Sequence, residues 1–169
     1  MLSKRDLLSP EYIKEKSLLM TEDILSDSHY QESDTIYLYL PYRNEIDTES
    51  LVTHALKDGK SVAVPMLLSS GDMVFGKIED NCRFHQGRYK VIEPIYNPKL
   101  VTDKEGLMIV PLVGYHGKNR IGFGCQYYNN YLKHRKNLYT IGVGYKFQEV
   151  YDNIEFAEED IPLDEIRGY

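Results

Sequence analysis

The sequence predicts an α/β protein, a single three-layer domain with a mostly parallel central sheet flanked by helices. Two observations carry that expectation. Short, β-branched apolar runs alternate with longer amphipathic stretches along the whole chain. The chain also has 169 residues, 42% of them hydrophobic, with no internal repeat, low-complexity segment or linker, which suits one sizeable core.

Ser9 followed by Pro10 opens the first long helix, because serine caps free N–H groups and proline suits the first helical position. That helix is expected to run to about Ser26, with Ile13, Met20 and Ile24 inward and Glu11, Lys14, Glu15 and Lys16 mostly outward. TIYLYLP (35–41) alternates Ile36, Leu38 and Leu40 with Tyr37 and Tyr39, the period of a strand. Thr48 starts a second helix carrying Leu51, Val52, Ala55 and Leu56, and Gly59 ends it. SVAVP (61–65) and MVFGKI (73–78) read as strands, and the proline-punctuated RYKVIEPIYNP (88–98) as an extended connection. GLMIV (106–110) reads as a buried strand, QYYNNYLKHRKN as the helix after it, and YTIGVGY (139–145) as a further strand.

A net charge of -6 with no dense Lys/Arg block argues against nucleic-acid and membrane partners. Cys82 and Cys125 form no CxxC or CxxH pattern, so neither a disulfide framework nor a zinc site is expected. The five histidines, His29, His54, His85, His116 and His134, lack metal-ligand spacing and read as surface residues. The start has no signal-peptide pattern and no run approaches the ~18 apolar residues of a membrane helix. A cytoplasmic protein with reduced thiols is expected, as a monomer or weak homodimer.

Residues 119–132, NRIGFGCQYYNNYL, come just after the apolar run GLMIVPLVGY (106–115), where the strand is expected to hand over to a helix. In open α/β sheets ligands collect at the carboxyl ends of strands, and here Gly122 and Gly124 permit close backbone approach while Arg120 offers a charged fork suited to phosphate. The helix after Gln126 would aim its free N–H groups at the same place. GFGCQY lacks the third glycine of a dinucleotide fingerprint, and a lone GxG is also the mark of an ordinary turn.

The longer segment VPLVGYHGKNRIGFGCQYYNNYL resembles the signature of 5-formyltetrahydrofolate cyclo-ligases, also called methenyltetrahydrofolate synthetases, through Pro111, Tyr115, Arg120, Ile121, Gly122, Gly124, Tyr127, Tyr128 and Leu132. LYLPYRNEIDTESLV, VAVPMLLSSGDMVF, VIEP, IGVGYKFQEV and EEDIPLDEI resemble further segments of that family in the same order. The resemblance implies the NagB/RpiA/CoA transferase-like fold and an ATP- and Mg2+-dependent closure of 5-formyltetrahydrofolate to 5,10-methenyltetrahydrofolate, with ADP and phosphate released. ATP would phosphorylate the formyl oxygen, N10 would then attack the activated carbon, and no protein nucleophile is needed; such chemistry depends on positioning and charge stabilisation.

The resemblance also implies residue roles. Arg120, Gly122 and Gly124, with the backbone of Cys125 and Gln126, would cradle ATP phosphates, and Arg120 and Tyr127 would act at the reacting centre. Tyr127 and Tyr128 would contact the ligands, although ring burial explains Tyr128 equally well. Glu45 takes the place of the family's folate-binding glutamate, near Leu40, with its carboxylate accepting hydrogen bonds from pterin N–H groups. Met73 and Phe75 would line the pterin slot or pack in the core, and Glu93, before Pro94, would shape the substrate wall without being catalytic. Asn129 and Asp160 would hold Mg2+.

Four departures from the family pattern stand out. Cys125 and Gln126 occupy positions that are usually small, and a side chain at Gln126 would cost on the order of 1–2 kcal/mol if a left-handed backbone is needed there. Asn129 replaces an aspartate, keeping an oxygen but losing the charge. His116 stands where an aspartate is usual, in a loop one residue shorter than the pattern. The family's leading K-x-x-L-R helix is not matched at the start, where Lys4 and Arg5 correspond to its trailing basic residues. A single domain over residues 1–169 is therefore expected, either lacking that ATP-contacting helix or beginning at an internal methionine. Two alternatives to an active enzyme are a folate- or nucleotide-binding relative with weak or no turnover, and a sensor of phosphorylated metabolites. Such a sensor would normally be joined to a DNA-binding module, and none is visible.

Overall fold

A computed structural model of the chain describes residues 1–78, 84–86, 92–94, 99–101, 104–151 and 154–169, with 84–86 and 92–94 as backbone only. A six-stranded sheet organises the fold, in the order β10 (Glu165–Gly168), β9 (Leu138–Gly144), β6 (Gly106–Pro111), β1 (Thr35–Tyr37), β2 (Ser61–Leu67), β3 (Met73–Lys77). Every pairing in it is parallel except β2 with β3, which form an antiparallel hairpin. Two ribbons stand apart from the sheet: β4 (Phe84–Gln86) with β5 (Ile92–Pro94), and β7 (Gly114–His116) with β8 (Asn119–Ile121).

The helices are α1 (Leu2–Asp6), α2 (Pro10–Leu25), α3 (Ser28–Glu32), α4 (Glu49–Lys57) and α5 (Tyr127–Leu132). Alternation along β6 sorts the two faces of the sheet. Leu107 and Ile109 join Ile36, Val62 and Val64 in a core shared with Met20, Ile24, Tyr30, Leu51 and Ala55 of α2 to α4. Met108 and Val110 join Tyr37, Ala63 and Phe75 in a second core shared with Tyr128, Tyr131 and Leu132 of α5. Three layers result because each strand is apolar on both faces.

Ser9 caps α2 by accepting the Tyr12 N–H at 3.2 Å, and Gly59, at φ +77°, follows the end of α4. The buried stripe of α2 is partly polar: Ser17 and Thr21 return their hydroxyls to Ile13 and Ser17 carbonyls at 2.7 and 2.9 Å.

Three expectations need correction. The strand at 35–41 pairs only over 35–37, and both of its tyrosines are buried, the Tyr37 hydroxyl donating to Lys104 O at 2.8 Å and that of Tyr39 to Ile46 O at 2.7 Å. A central strand has no solvent face, so alternation of residue type does not translate into exposure. The β6 strand does not hand over directly to a helix, because the β7–β8 hairpin, turning at Gly117, intervenes; its three-residue strands are too short to show a period. The helix after Gln126 has six residues, so it contributes little dipole. Of the connection read at 88–98, residues 92–94 form β5, and the remainder, with Cys82 and the side chains of His85 and Glu93, lies outside what the structure describes.

Candidate functional site

A cavity of about 650 Å3 opens beyond the carboxyl end of β6, a usual volume for a small-molecule site. Leu40, Glu45 and Met73 line one wall, and Arg120, Gly122, Gly124 and Cys125 another. Gln126, Tyr127, Tyr128, Asn129 and Asp160 complete it, so the residues expected at the phosphates, the reacting centre and the metal face one space with Leu40, Glu45 and Met73. Phe75 does not line it; its ring is buried against Tyr37 and Tyr131, which settles that residue as core.

Arg120, on β8, is fixed from two sides. Its Nε donates to Pro111 O at 2.7 Å, and its guanidinium lies 4.9 Å from the centre of the Tyr128 ring. Burial lowers its pKa somewhat, yet a guanidinium stays charged at any physiological pH. A Cβ on Gly122 would fall 2.6 Å from an Arg120 terminal nitrogen, so glycine there leaves the fork its place. Gly124 takes φ +86°, a conformation that favours glycine. Tyr128 is buried in the second core and also lines the cavity, so its two expected roles coincide.

Gln126 adopts φ 56°, ψ 10°, the left-handed conformation anticipated for this position. Its side chain bonds forward along α5: its Oε1 accepts from Asn129 Nδ2 at 2.6 Å. The same Nδ2 donates to Asp160 Oδ1 at 2.7 Å, while Asp160 Oδ2 accepts the Ala157 N–H at 3.1 Å. The Gln126→Gly variant is expected to be more stable by about 0.5–1 kcal/mol, because relief of left-handed strain outweighs the lost amide contact and the entropy of glycine; chemical denaturation measures this.

Glu45, though it lies in a loop, is not solvated. It is only 6% exposed, and burial pushes its carboxyl up to about 7 against the opposing influence of Arg5, the Tyr42 N–H and Arg120. Its Oε2 accepts the Tyr42 N–H at 3.0 Å, and Arg5 Nη1 lies 3.6 Å from its Oε1.

Sequence reasoning missed Arg5 and the aromatic pair Tyr42 and Phe123. Phe123 is 47% exposed between the two glycines, and its ring centre lies 5.9 Å from that of Tyr42 across the cavity mouth. An aromatic residue flanked by glycines was a visible signal for it. Nothing local marked Arg5, which sits in a charged run yet is 1% exposed. Two histidines are not plain surface residues: His29 stacks on Tyr139 at 3.4 Å between ring centres, and His116 Nδ1 lies 2.7 Å from Val150 O.

Among the described residues no group of three or more His, Cys, Asp or Glu could hold a metal. Asp160 Oδ1 and Gln126 Oε1 converge on Asn129 Nδ2, so the cluster presents one carboxylate and one amide oxygen around an amide nitrogen. One carboxylate suits Mg2+, which is held mainly by substrate phosphates and water with one or two carboxylates.

The model of the 5-formyltetrahydrofolate cyclo-ligase family matches residues 1–167. The 5-formyltetrahydrofolate cyclo-ligase of Mus musculus is 27% identical over 94% of this chain and 85% of its own length, and that of Escherichia coli (strain K12) is 26% identical over 95% and 91%. The solved structure of Aquifex aeolicus 5,10-methenyltetrahydrofolate synthetase superposes with a TM-score of 0.83 at 27% identity, covering 98% of this chain and 84% of that one. A Mycoplasma pneumoniae 5,10-methenyltetrahydrofolate synthetase shares the fold, with a TM-score of 0.77 at 22% identity. With its length matched almost from end to end, the chain belongs to the 5-formyltetrahydrofolate cyclo-ligase family.

Proposed function

We propose that this protein closes 5-formyltetrahydrofolate to 5,10-methenyltetrahydrofolate at the expense of ATP, using Mg2+. The observation that carries the proposal is the convergence of an acid-bearing wall at Leu40, Glu45 and Met73 with a glycine-arginine wall at Arg120 to Gly124 around one cavity. The first wall suits the amide-like N–H edge of a pterin, and the second suits a chain of phosphates.

The chemical difficulty is the formyl oxygen, a poor leaving group. Transfer of the terminal phosphoryl group of ATP to that oxygen makes it a phosphate, and attack by N10 on the carbon then expels inorganic phosphate as the ring closes. The chain supplies positioning and charge. Arg120, held by Pro111 and Tyr128, neutralises charge on the transferring group, while the N–H groups of Gly122 to Gln126 bind the remaining phosphate oxygens. Tyr127, at the start of α5 and half-buried in the cavity, is placed to contact the reacting centre. Glu45 orients the pterin. Asp160, Asn129 and Gln126 would hold Mg2+, which screens phosphate charge when bound.

Mixing the protein with ATP, Mg2+ and 5-formyltetrahydrofolate is expected to produce methenyl absorbance. Tight binding of both ligands without absorbance would favour a binding relative instead. Asn129→Asp is expected to lower the Mg2+ concentration for half-maximal rate by about tenfold, since a second carboxylate beside Asp160 strengthens the cation site. Without Mg2+ the same variant is expected to lose about 1 kcal/mol of stability at neutral pH through like-charge repulsion, measured by denaturation with and without the metal.

A further inference from the structure

Arg5 stands outside the cavity lining yet touches Tyr42, Arg43, Glu45, Leu112 and Phe123 of its wall. From the short helix α1 its Nε donates to Arg43 O at 2.8 Å, its Nη1 to Leu112 O at 3.2 Å and its Nη2 to Tyr42 O at 3.5 Å. Asn44 Nδ2 donates back to Arg5 O at 3.2 Å, and Asp6 of the same helix pairs with Arg43. The guanidinium also lies 5.8 Å from the centre of the Phe123 ring in the glycine loop. The loop it grips is strained, because Arg43 and Asn44 both adopt positive φ, 48° and 55°. Such a turn persists only where its surroundings hold it.

Arg5 directs three N–H groups to carbonyls and lies 3.6 Å from Glu45 Oε1, near enough to attract the carboxylate without hydrogen-bonding to that oxygen. The Tyr42 N–H takes Oε2. Oε1 therefore keeps its acceptor capacity toward the cavity. The groups facing this carboxylate are the guanidiniums of Arg5 and Arg120 and the phenols of Tyr39, Tyr128 and Tyr145. Burial raises all three phenols above their ordinary range, so they remain neutral. Only the two arginines oppose protonation of Glu45 by their charge.

We infer that Arg5 is a positioning residue for folate: it clamps the 42–45 turn and favours the charged form of the Glu45 carboxylate, leaving it free to receive the N–H edge of the substrate. This role rests on the functional reading above. It requires folate affinity to have an acid limb set by Glu45, and that limb to depend on the charge at residue 5.

The test is equilibrium binding of 5-formyltetrahydrofolate across pH to wild-type protein, Arg5→Gln and Arg5→Lys, with binding of a non-hydrolysable ATP analogue as control. Gln retains a donor without charge, and Lys retains charge without the fork. In Arg5→Gln the acid limb is expected to move up by about one pH unit or more, costing about tenfold in affinity at neutral pH and recovering in alkali. In Arg5→Lys the limb is expected within about half a unit of wild type, and analogue binding is expected to change less than about threefold in both variants. A purely structural role would weaken both variants at every pH without moving the limb, and that result overturns the inference. Should Arg5→Gln not fold, Arg5→Lys decides: a limb within about half a unit together with alkaline affinity within about threefold of wild type upholds the role, and a larger upward shift or weakening at every pH overturns it. Failure of wild-type protein to bind folate overturns the functional reading and this role together, a result distinct from bound folate with an unmoved limb.

Discussion

Arg120→Ala is expected to lower kcat/KM by about 10^3-fold or more, the scale of an arginine that stabilises a transferring phosphoryl group. The structural loss is far smaller. One hydrogen bond to Pro111 and one stacking contact with Tyr128 are removed, together worth about 1–2 kcal/mol of stability. Activity measured on protein shown to be folded by circular dichroism separates the two effects. Arg120→Lys keeps the charge but cannot both hold Pro111 through Nε and present a fork past Gly122, so it is expected to recover only part of the rate. A kcat/KM within tenfold of wild type in the alanine variant would remove Arg120 from the chemistry.

The second large effect concerns Glu45. Its carboxyl is pushed by burial up to about 7 in the folded protein against an ordinary value of 4.5, so the folded state holds the proton more tightly than the unfolded chain does. That contribution to stability is complete below the unfolded value and is lost as pH rises through about 7. A difference of this size corresponds to about 3 kcal/mol. Wild-type stability is therefore expected to decline between about pH 5 and 8, and Glu45→Gln to abolish most of that decline. Asp27 and Glu165 do not confuse the measurement: hydrogen bonds, chiefly from Arg167, hold both below their ordinary values, so their contributions disappear only at more acid pH. Denaturant titrations of both proteins across that range check the slope. Glu45→Gln is also expected to raise KM for folate by about 10–100-fold with a smaller change in kcat, because a charged acceptor for the substrate becomes a neutral amide. A folate site built on an acid that destabilises its own fold is a trade between binding and stability.

Much of this was legible in the sequence, for local reasons. Ser9 and Pro10 mark a helix start through chemistry within three residues, and the apolar runs at 61–65, 106–110 and 139–145 mark strands through their own composition. Gly122, Gly124 and Arg120 were readable as one unit because they are adjacent in the chain. What stayed hidden depends on contacts across the fold. The burial of Tyr37 follows from β1 lying mid-sheet, between β2 and β6, and Tyr39, beyond the end of β1, is buried in the other core; no window around residue 37 reveals either. Arg5 reaches a carbonyl 107 residues away, and in the chain it looks like any exposed base beside Lys4. The β7–β8 hairpin was missed because three-residue strands carry no measurable period. Gln126 shows a partial reading: its conformational strain was foreseeable from the position, whereas the bond of its amide to Asn129 required the folded geometry.

The most direct test is a structure of the protein with a non-hydrolysable ATP analogue and Mg2+ bound. The triphosphate oxygens are expected within hydrogen-bonding distance of the amides between Gly122 and Tyr127, with the Arg120 guanidinium on the terminal phosphate. A nucleotide bound elsewhere, or a glycine loop blocked by the Gln126 side chain, would contradict the assignment of this cavity to phosphoryl transfer.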